Sequence, residues 1–280
     1  GLEISKRFRI PIVVYNCEDY QFKDYSIHGI YGILFQNMLR RSFKKLIART
    51  NHVIFNNEPL MKLFMKRYRI NASVIYISSI LKSRYMDDPK RPLTISYLGN
   101  LNSRYISLVE IAKAIKNIDQ NLSLDVYGKI LTSEAKYGIE NCRELRYHGV
   151  VSYDEVQKII SRSDILVHSE SFEPDAIIDK KYAFSTKIGD ALASGSCLFV
   201  YAPKTNAAVR YLKKNKAACV VTDKKKLEIE LRKLIQNEDL RAMYRQNALK
   251  AAVMYHDIQR NADRVYEIIQ NAIIEGYKND

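Results

Sequence analysis

Short apolar runs alternate along the chain with longer segments whose apolar positions recur every three or four residues. Apolar runs bounded by Gly, Pro or polar clusters predict buried strands, and the helical recurrence predicts amphipathic helices. On this basis strands are expected at residues 11–15, 53–55 and 74–77, with helices at 30–50 and 58–69 between them. The stretch 87–92 is polar and punctuated by Pro89 and Pro92, which marks a domain boundary. A second series then begins. Strands are expected at 93–98, 122–127, 145–148, 165–168, 197–201 and 218–221, and helices at 108–118 and 153–161. A short helix should start near Ser185 and end before Gly195. Three helices close the chain at 224–236, 239–255 and 258–275. Ser152 followed by Glu155 is a capping box for the helix at 153–161. Strands alternating with helices predict an α/β fold with a mostly parallel sheet and helices on both faces. Ligands of such sheets bind beyond the carboxyl ends of strands. Gly99, Gly128, Gly149 and Ser169 all follow strands and should line that edge.

Composition narrows the class. Hydrophobic residues make up 47% of the 280 residues, enough for sizeable cores. No run approaches the roughly 20 apolar residues of a membrane-spanning helix. Cys17, Cys142, Cys197 and Cys219 are widely spaced with no zinc-type pattern, so no metal site is expected and Cys197 and Cys219 read as buried free thiols of a reducing, cytoplasmic compartment. The net charge is +14, and residues 1–80 carry 13 Lys and Arg against 5 Asp and Glu. Such an excess attracts nucleic acid, an anionic membrane or a phosphorylated substrate. The helix at 30–50 carries Arg40, Arg41, Lys44, Lys45 and Arg49. Its apolar side, with Ile30, Leu34, Phe35, Met38, Leu39, Phe43, Leu46 and Ile47, is broad enough to face a core. A basic helix of this kind also suits an anionic membrane surface. The 20 Tyr and 9 Phe invite a nucleic-acid reading, but they fall on core-type positions, and there is no Trp and no RNA-binding motif.

The densest chemistry lies in residues 182–195. Ser185 and Thr186 place two hydroxyls beside Lys187, Asp190 follows, and a small-residue run leads through Gly195 into the apolar strand at 197–201. A helix start with hydroxyls and an ammonium suits a diphosphate. The same hydroxyls also read as N-caps, Lys187 as a solvated cation and Asp190 as a first-turn carboxylate.

From Leu93 onward the chain resembles the nucleotide-binding C-terminal lobe of retaining GT-B glycosyltransferases of the family-four type. Ile95-Ser96-Tyr97-Leu98-Gly99-Asn100-Leu101 is similar to the strand and glycine turn opening that lobe, and Arg104 to the basic residue that contacts the donor diphosphate. Asp125-Val126-Tyr127-Gly128 resembles the second strand, and the stretch from Tyr147 through His148 to Val156 resembles the region near the nucleotide base. Asp190-Ala191-Leu192-Ala193-Ser194-Gly195 matches the end of the family's donor signature. The resemblance implies that Asp190, in place of a glutamate, binds the ribose, and that Gly99, Arg104, Ser185, Thr186, Lys187 and His148 surround the nucleotide. The family's first glutamate has no match, because Tyr182 stands at its spacing. Glu170 and Glu173 are the nearby acids and the catalytic candidates.

The resemblance thus implies a GT-B-like α/β protein: a partial N-terminal lobe at 1–86, a nucleotide-sugar-binding Rossmann-type lobe at 87–255, and a C-terminal helix at 256–280 packing back toward the first lobe. The expected activity is retaining, metal-independent transfer of a sugar from a nucleotide-diphosphate donor, with no cofactor. The expected acceptor is a glycan or lipid-linked molecule of bacterial surface polysaccharide synthesis, at the cytoplasmic face of the membrane. Two rivals are a catalytically inactive binding module of the same fold and a basic nucleic-acid-binding protein.

Overall fold

The computed structural model describes residues 1–25, 29–81 and 91–278, with side chains to residue 275. Most of the polar stretch expected as a boundary therefore lies outside the described residues. The chain divides into two compact units, one of residues 1–78, 182–184 and 257–280, the other of residues 79–181 and 185–256.

The first unit opens with helix α1 (Leu2–Phe8), then strand β1 (Val13–Asn16) and a 3-10 turn at Tyr20–Phe22. Helix α2 (Gly29–Ile47), strand β2 (His52–Phe55), helix α3 (Glu58–Met65) and strand β3 (Ala72–Val74) follow. The strands form a parallel sheet in the order β1-β2-β3. Val53, Phe55, Leu60, Phe64 and Ile47 make its core, with the Phe22 and Phe43 rings edge-on to Phe64 at 4.9 and 5.3 Å. Asn57 caps α3 by accepting the Leu60 N–H at 2.9 Å, and its amide donates to the Tyr182 carbonyl at 3.0 Å. Tyr182 packs against this core, and Phe184 lies 5.3 Å from the Tyr76 ring.

The apolar side of α2 departs from expectation. Only Gly32 and Ile47 of this helix are buried, and Ile30, Leu34, Phe35 and Met38 are exposed. The helix meets the core through Phe43 and Ile47 near its end, so its amphipathic stripe runs on past the surface it covers.

The second unit begins with β4 (Ile95–Leu98), α4 (Tyr105–Ile118), β5 (Leu124–Tyr127), α5 (Ser133–Glu140) and β6 (Leu145–Tyr147). It continues through α6 (Tyr153–Arg162), β7 (Ile165–Ser169), α7 (Pro174–Asp179), α8 (Lys187–Ala193) and β8 (Cys197–Tyr201). Then come α9 (Ala207–Lys214), β9 (Cys219–Val221), α10 (Leu227–Gln236) and α11 (Glu238–Ala251). The six strands are all parallel, in the order β6-β5-β4-β7-β8-β9. Every residue of β8 is buried, as its unbroken apolar run requires of a central strand. Cys142, Cys197 and Cys219 are buried free thiols. The strand order reverses between β4 and β7, which opens a crevice beyond their carboxyl ends.

A π-helical turn at Ala252–His256 leads into α12 (Ile258–Lys278). This helix is tied into the first unit. Asn261 donates to the Tyr76 carbonyl and the Ser78 hydroxyl at 3.0 Å each, and Arg264 donates to the Val74 carbonyl at 3.0 Å. Among the described residues no helix is long and apolar enough to cross a membrane.

Candidate functional site

Three glycines meet at the carboxyl edge of the second sheet, and Gly99 and Gly128 form the floor of a cavity there. The Gly99 N–H donates to the Tyr127 carbonyl at 2.8 Å, and the Gly128 N–H to the Gly149 carbonyl at 2.7 Å. The backbones after β4 and β5 touch so closely that a Cβ on Gly128 would lie 1.6 Å from the Gly99 carbonyl oxygen. Gly128 also has φ +148°, which L side chains rarely adopt. Gly99 admits side chains instead: a Cβ there would sit 2.7 Å from the Tyr97 hydroxyl and 2.9 Å from the Lys187 ammonium.

Over this floor lies a cavity of about 430 Å³, lined by Gly99, Arg104, His168, Ser185, Lys187 and Asp190 among others. The segment after β6 and helix α6 add an apolar wall of Val150, Val151, Tyr153, Val156 and Ile160. Helix α6 is held by the expected capping box, with Ser152 and Glu155 bonded reciprocally. The cavity thus combines an apolar wall with a small number of polar groups, as small-molecule sites do.

Two cations converge here. The Arg104 guanidinium is fixed by three bonds: Nε to the Ser169 carbonyl at 2.9 Å, NH2 to Glu170 Oε1 at 2.7 Å, and a longer one from NH1 to the Asn100 carbonyl at 3.5 Å. Lys187 is exposed as a residue, yet its ammonium turns in beside Gly99. Burial and the Arg104 charge hold this ammonium below the usual lysine range, with Glu170 acting the other way. One carboxylate therefore faces two cations, and the cluster has room for a further anion. His168 is kept neutral well into the acid range, with a pKa lowered to about 4. Burial is the main cause, the Arg104 and Lys187 charges add to it, and Glu170 opposes it.

His168 Nε2, Ser169 Oγ and Glu170 Oε2 are buried without a hydrogen-bond partner among the described residues. Buried polar atoms are ordinarily paired, so these three at one strand end are open to water or a bound ligand. The loop that carries Glu170 is clamped. Ser107 donates to the Glu170 carbonyl at 3.0 Å, and the Phe172 ring packs on Tyr201 at 4.6 Å.

Of the residues expected at the site, Gly99, Arg104, Ser185, Lys187 and Asp190 line the cavity. Thr186, between two lining residues, is exposed and not itself part of the lining, while the Ser185 hydroxyl accepts the Lys187 N–H at 3.4 Å. Glu170 is buried behind Arg104, and Glu173 is exposed at the start of α7. His148 also lies outside the lining. It bonds Asp125 at 2.7 Å and stacks at 4.5 Å on Tyr127, which is itself a lining residue. Most of the apolar wall falls within the stretch Tyr147 to Val156 whose resemblance is to the region near the nucleotide base. Sequence reasoning did not single out His168, for which a histidine within an apolar strand was the available signal. Among the described residues no group of three or more His, Cys, Asp or Glu is placed to hold a metal ion.

A glycine-floored crevice at the strand-order reversal of a parallel sheet, with paired cations, fits an α/β fold of the GT-B class. Residues 107–267 match the glycosyl transferase-like family model, and with more than half of the chain matched, the protein belongs to that family. Solved GT-B glycosyltransferases share the fold. Anabaena HepE in complex with UDP is 16% identical over 97% of this chain and 75% of its own, with a TM-score of 0.71. WaaG, a glycosyltransferase involved in lipopolysaccharide biosynthesis, is 14% identical over 94% of this chain and 80% of its own, with a TM-score of 0.63. A glycosyltransferase from Rickettsia africae is 15% identical over 96% of this chain and 79% of its own, with a TM-score of 0.64. No curated protein matches the sequence.

Proposed function

We propose that this protein transfers a sugar from a nucleoside-diphosphate donor to a glycan or lipid-linked acceptor, with retention at the anomeric carbon and without an obligatory metal. The observation that carries the reading is the convergence of Arg104 and Lys187 on the Gly99 turn in a cavity with an apolar wall. A nucleoside diphosphate has matching parts: an apolar base, a ribose and an anionic diphosphate. As the bond between sugar and diphosphate breaks, negative charge grows on the leaving phosphate while an oxocarbenium-like centre forms. Fixed cations aimed at that phosphate stabilise the transition state more than the ground state. Arg104 is suited to this because its bonds to Ser169 and Glu170 pre-set its orientation. Ser185 adds a hydroxyl to the diphosphate side, and Asp190 accepts hydrogen bonds from the ribose. HepE was solved with UDP and with UDP-glucose, which supports a sugar nucleotide as donor. WaaG's involvement in lipopolysaccharide biosynthesis supports a role in surface polysaccharide synthesis at the cytoplasmic membrane face. The exposed apolar and basic side of α2 suits an anionic membrane surface there.

The test is a thermal-shift panel of nucleoside diphosphates, followed by donor turnover with chelator present. A ligand that binds only the folded state raises the melting temperature. At least one nucleoside diphosphate should do so, and chelator should leave turnover unchanged. Asp190→Ala should weaken its binding roughly tenfold, the loss of hydrogen bonds to a charged acceptor. A panel with no shift would reject the donor assignment, binding without turnover would leave an inactive binding module, and an inverted product would reject retention.

A further inference from the structure

The segment Ser79–Leu81 reaches the cavity through one side chain. The Ser79 hydroxyl donates to Asp190 Oδ1 at 2.7 Å, across 111 residues of sequence. Ser79 Oγ also accepts the Leu81 N–H at 3.0 Å. The Ser79 backbone N–H in turn donates to the His256 carbonyl at 2.9 Å. Ser79 and His256 are both buried, and the His256 ring bonds the Tyr211 hydroxyl at 2.9 Å. Ser79 is therefore held in place from behind.

A serine hydroxyl has one proton to give. Accepting from Leu81 directs that proton away from the backbone and onto the carboxylate, and a bond to an ionised acceptor is among the stronger ones. The terminal torsion of an aspartate is otherwise broad. With Oδ1 committed to Ser79, that torsion is fixed. Asp190 lines the cavity, and Oδ2 has no hydrogen-bond partner among the described residues.

We infer that Ser79 is a positioning residue for ribose recognition: it orients Asp190 so that the second carboxylate oxygen accepts from a ribose hydroxyl of the bound nucleoside diphosphate. The inference rests on the proposed role of Asp190 and adds to it a residue from the opposite side of the sequence. A purely local role for Ser79, closing the turn to Leu81, would affect stability without touching the ribose.

The test compares the tightest-binding nucleoside diphosphate of the panel with its 2′,3′-dideoxy analogue, by calorimetry, on wild type, Ser79→Ala, Ser79→Thr and Asp190→Ala. The preference for the ribose form should fall roughly tenfold in Ser79→Ala, as expected for one charge-assisted hydrogen bond. Binding of the dideoxy form should stay unchanged. Ser79→Thr keeps the hydroxyl and should keep the preference, and Asp190→Ala should abolish it. If Ser79→Ala does not fold, Ser79→Cys replaces it with a much weaker donor and should show the same loss. Should Asp190→Ala lose the preference while Ser79→Ala retains it in full, the inference is overturned and the ribose role of Asp190 stands. Should Asp190→Ala retain it, or should no nucleoside diphosphate bind, that role fails and the inference falls with it.

Discussion

His168 ends up beside the site cations because β7 carries it there, and it stays neutral because burial outweighs its acidic neighbour Glu170, 3.8 Å away. This has a consequence for stability. The folded-state pKa is lowered from 6.5 to about 4, so the unfolded chain takes up a proton at a higher pH than the folded chain does. Between those values the unfolded state binds more protons, and stability rises with pH. The penalty is absent above the upper value and complete below the lower one, where it reaches about 3 kcal/mol. A glutamine of similar size does not titrate. Denaturant unfolding of His168→Gln and wild type should therefore show wild type losing stability relative to the variant as pH falls through that window. Parallel pH profiles would mean that His168 takes up its proton at the same pH in the folded and unfolded chains. The same residue shows what sequence cannot convey. Its place in an apolar strand is readable, but its neighbours Arg104 and Lys187 come from other elements. Ser79 was hidden for the same reason, since nothing local in Ser78-Ser79-Ile80 points to a carboxylate on α8. Gly99, Lys187 and Asp190 were legible because the hydrophobic pattern set a strand end and a short helix at their positions, whereas Arg104 was singled out only by the family resemblance.

At the scale of elements, the glycine-floored edge makes a graded prediction. Gly128 and Gly149 follow adjacent strands, and both have positive φ. Around Gly149 a Cβ would meet nothing within 4 Å, so Gly149→Ala should cost only the left-handed backbone strain of about 1 kcal/mol. At Gly128 the Cβ would collide with the Gly99 carbonyl, and the β4 and β5 turns would have to part. Gly128→Ala should cost several times more, roughly 3 kcal/mol or above, and should also abolish nucleotide binding. Melting curves of the two variants give the comparison, and equal losses would contradict the close approach of the two turns. The parallel sheet was legible in the sequence because buried strands such as β8 read as unbroken apolar runs. Helices α1, α5, α7 and α9 were not anticipated. Helix α5 is polar over most of its exposed surface, and α7 spans only Pro174–Asp179. Helix α9 did carry a start signal in Asn206, whose side chain accepts the Ala208 and Val209 N–H groups. Helix α2 was located but its apolar face was assigned to a core. Periodicity identifies an apolar face without identifying what covers it.

At the scale of the whole molecule, charge and exposed apolar area coincide on that helix. The net charge is +14, and residues 1–80 hold a disproportionate share of it. Ile30 is 69% exposed, Leu34 60% and Met38 55%, while Arg41, Lys44 and Lys45 lie exposed further along the same helix. Arg40 is partly committed, donating to the Gln21 carbonyl at 3.2 Å. A helix lying in a bilayer interface buries its apolar side among acyl chains and sets its basic residues against anionic headgroups. Each basic residue near such a surface contributes on the order of 1 kcal/mol, attenuated by salt. The protein should therefore co-sediment with vesicles containing phosphatidylglycerol and far less with pure phosphatidylcholine, and added salt should release it. Replacing Arg41, Lys44 and Lys45 together by Gln should lower the partition coefficient by on the order of tenfold or more. It should leave nucleoside-diphosphate binding in the second unit intact, which separates membrane attachment from a folding defect. Equal binding to both vesicle types would remove the electrostatic role of the basic residues. Concentration-dependent dimerisation lost on Leu34→Gln would assign the exposed face to a second copy of the chain instead.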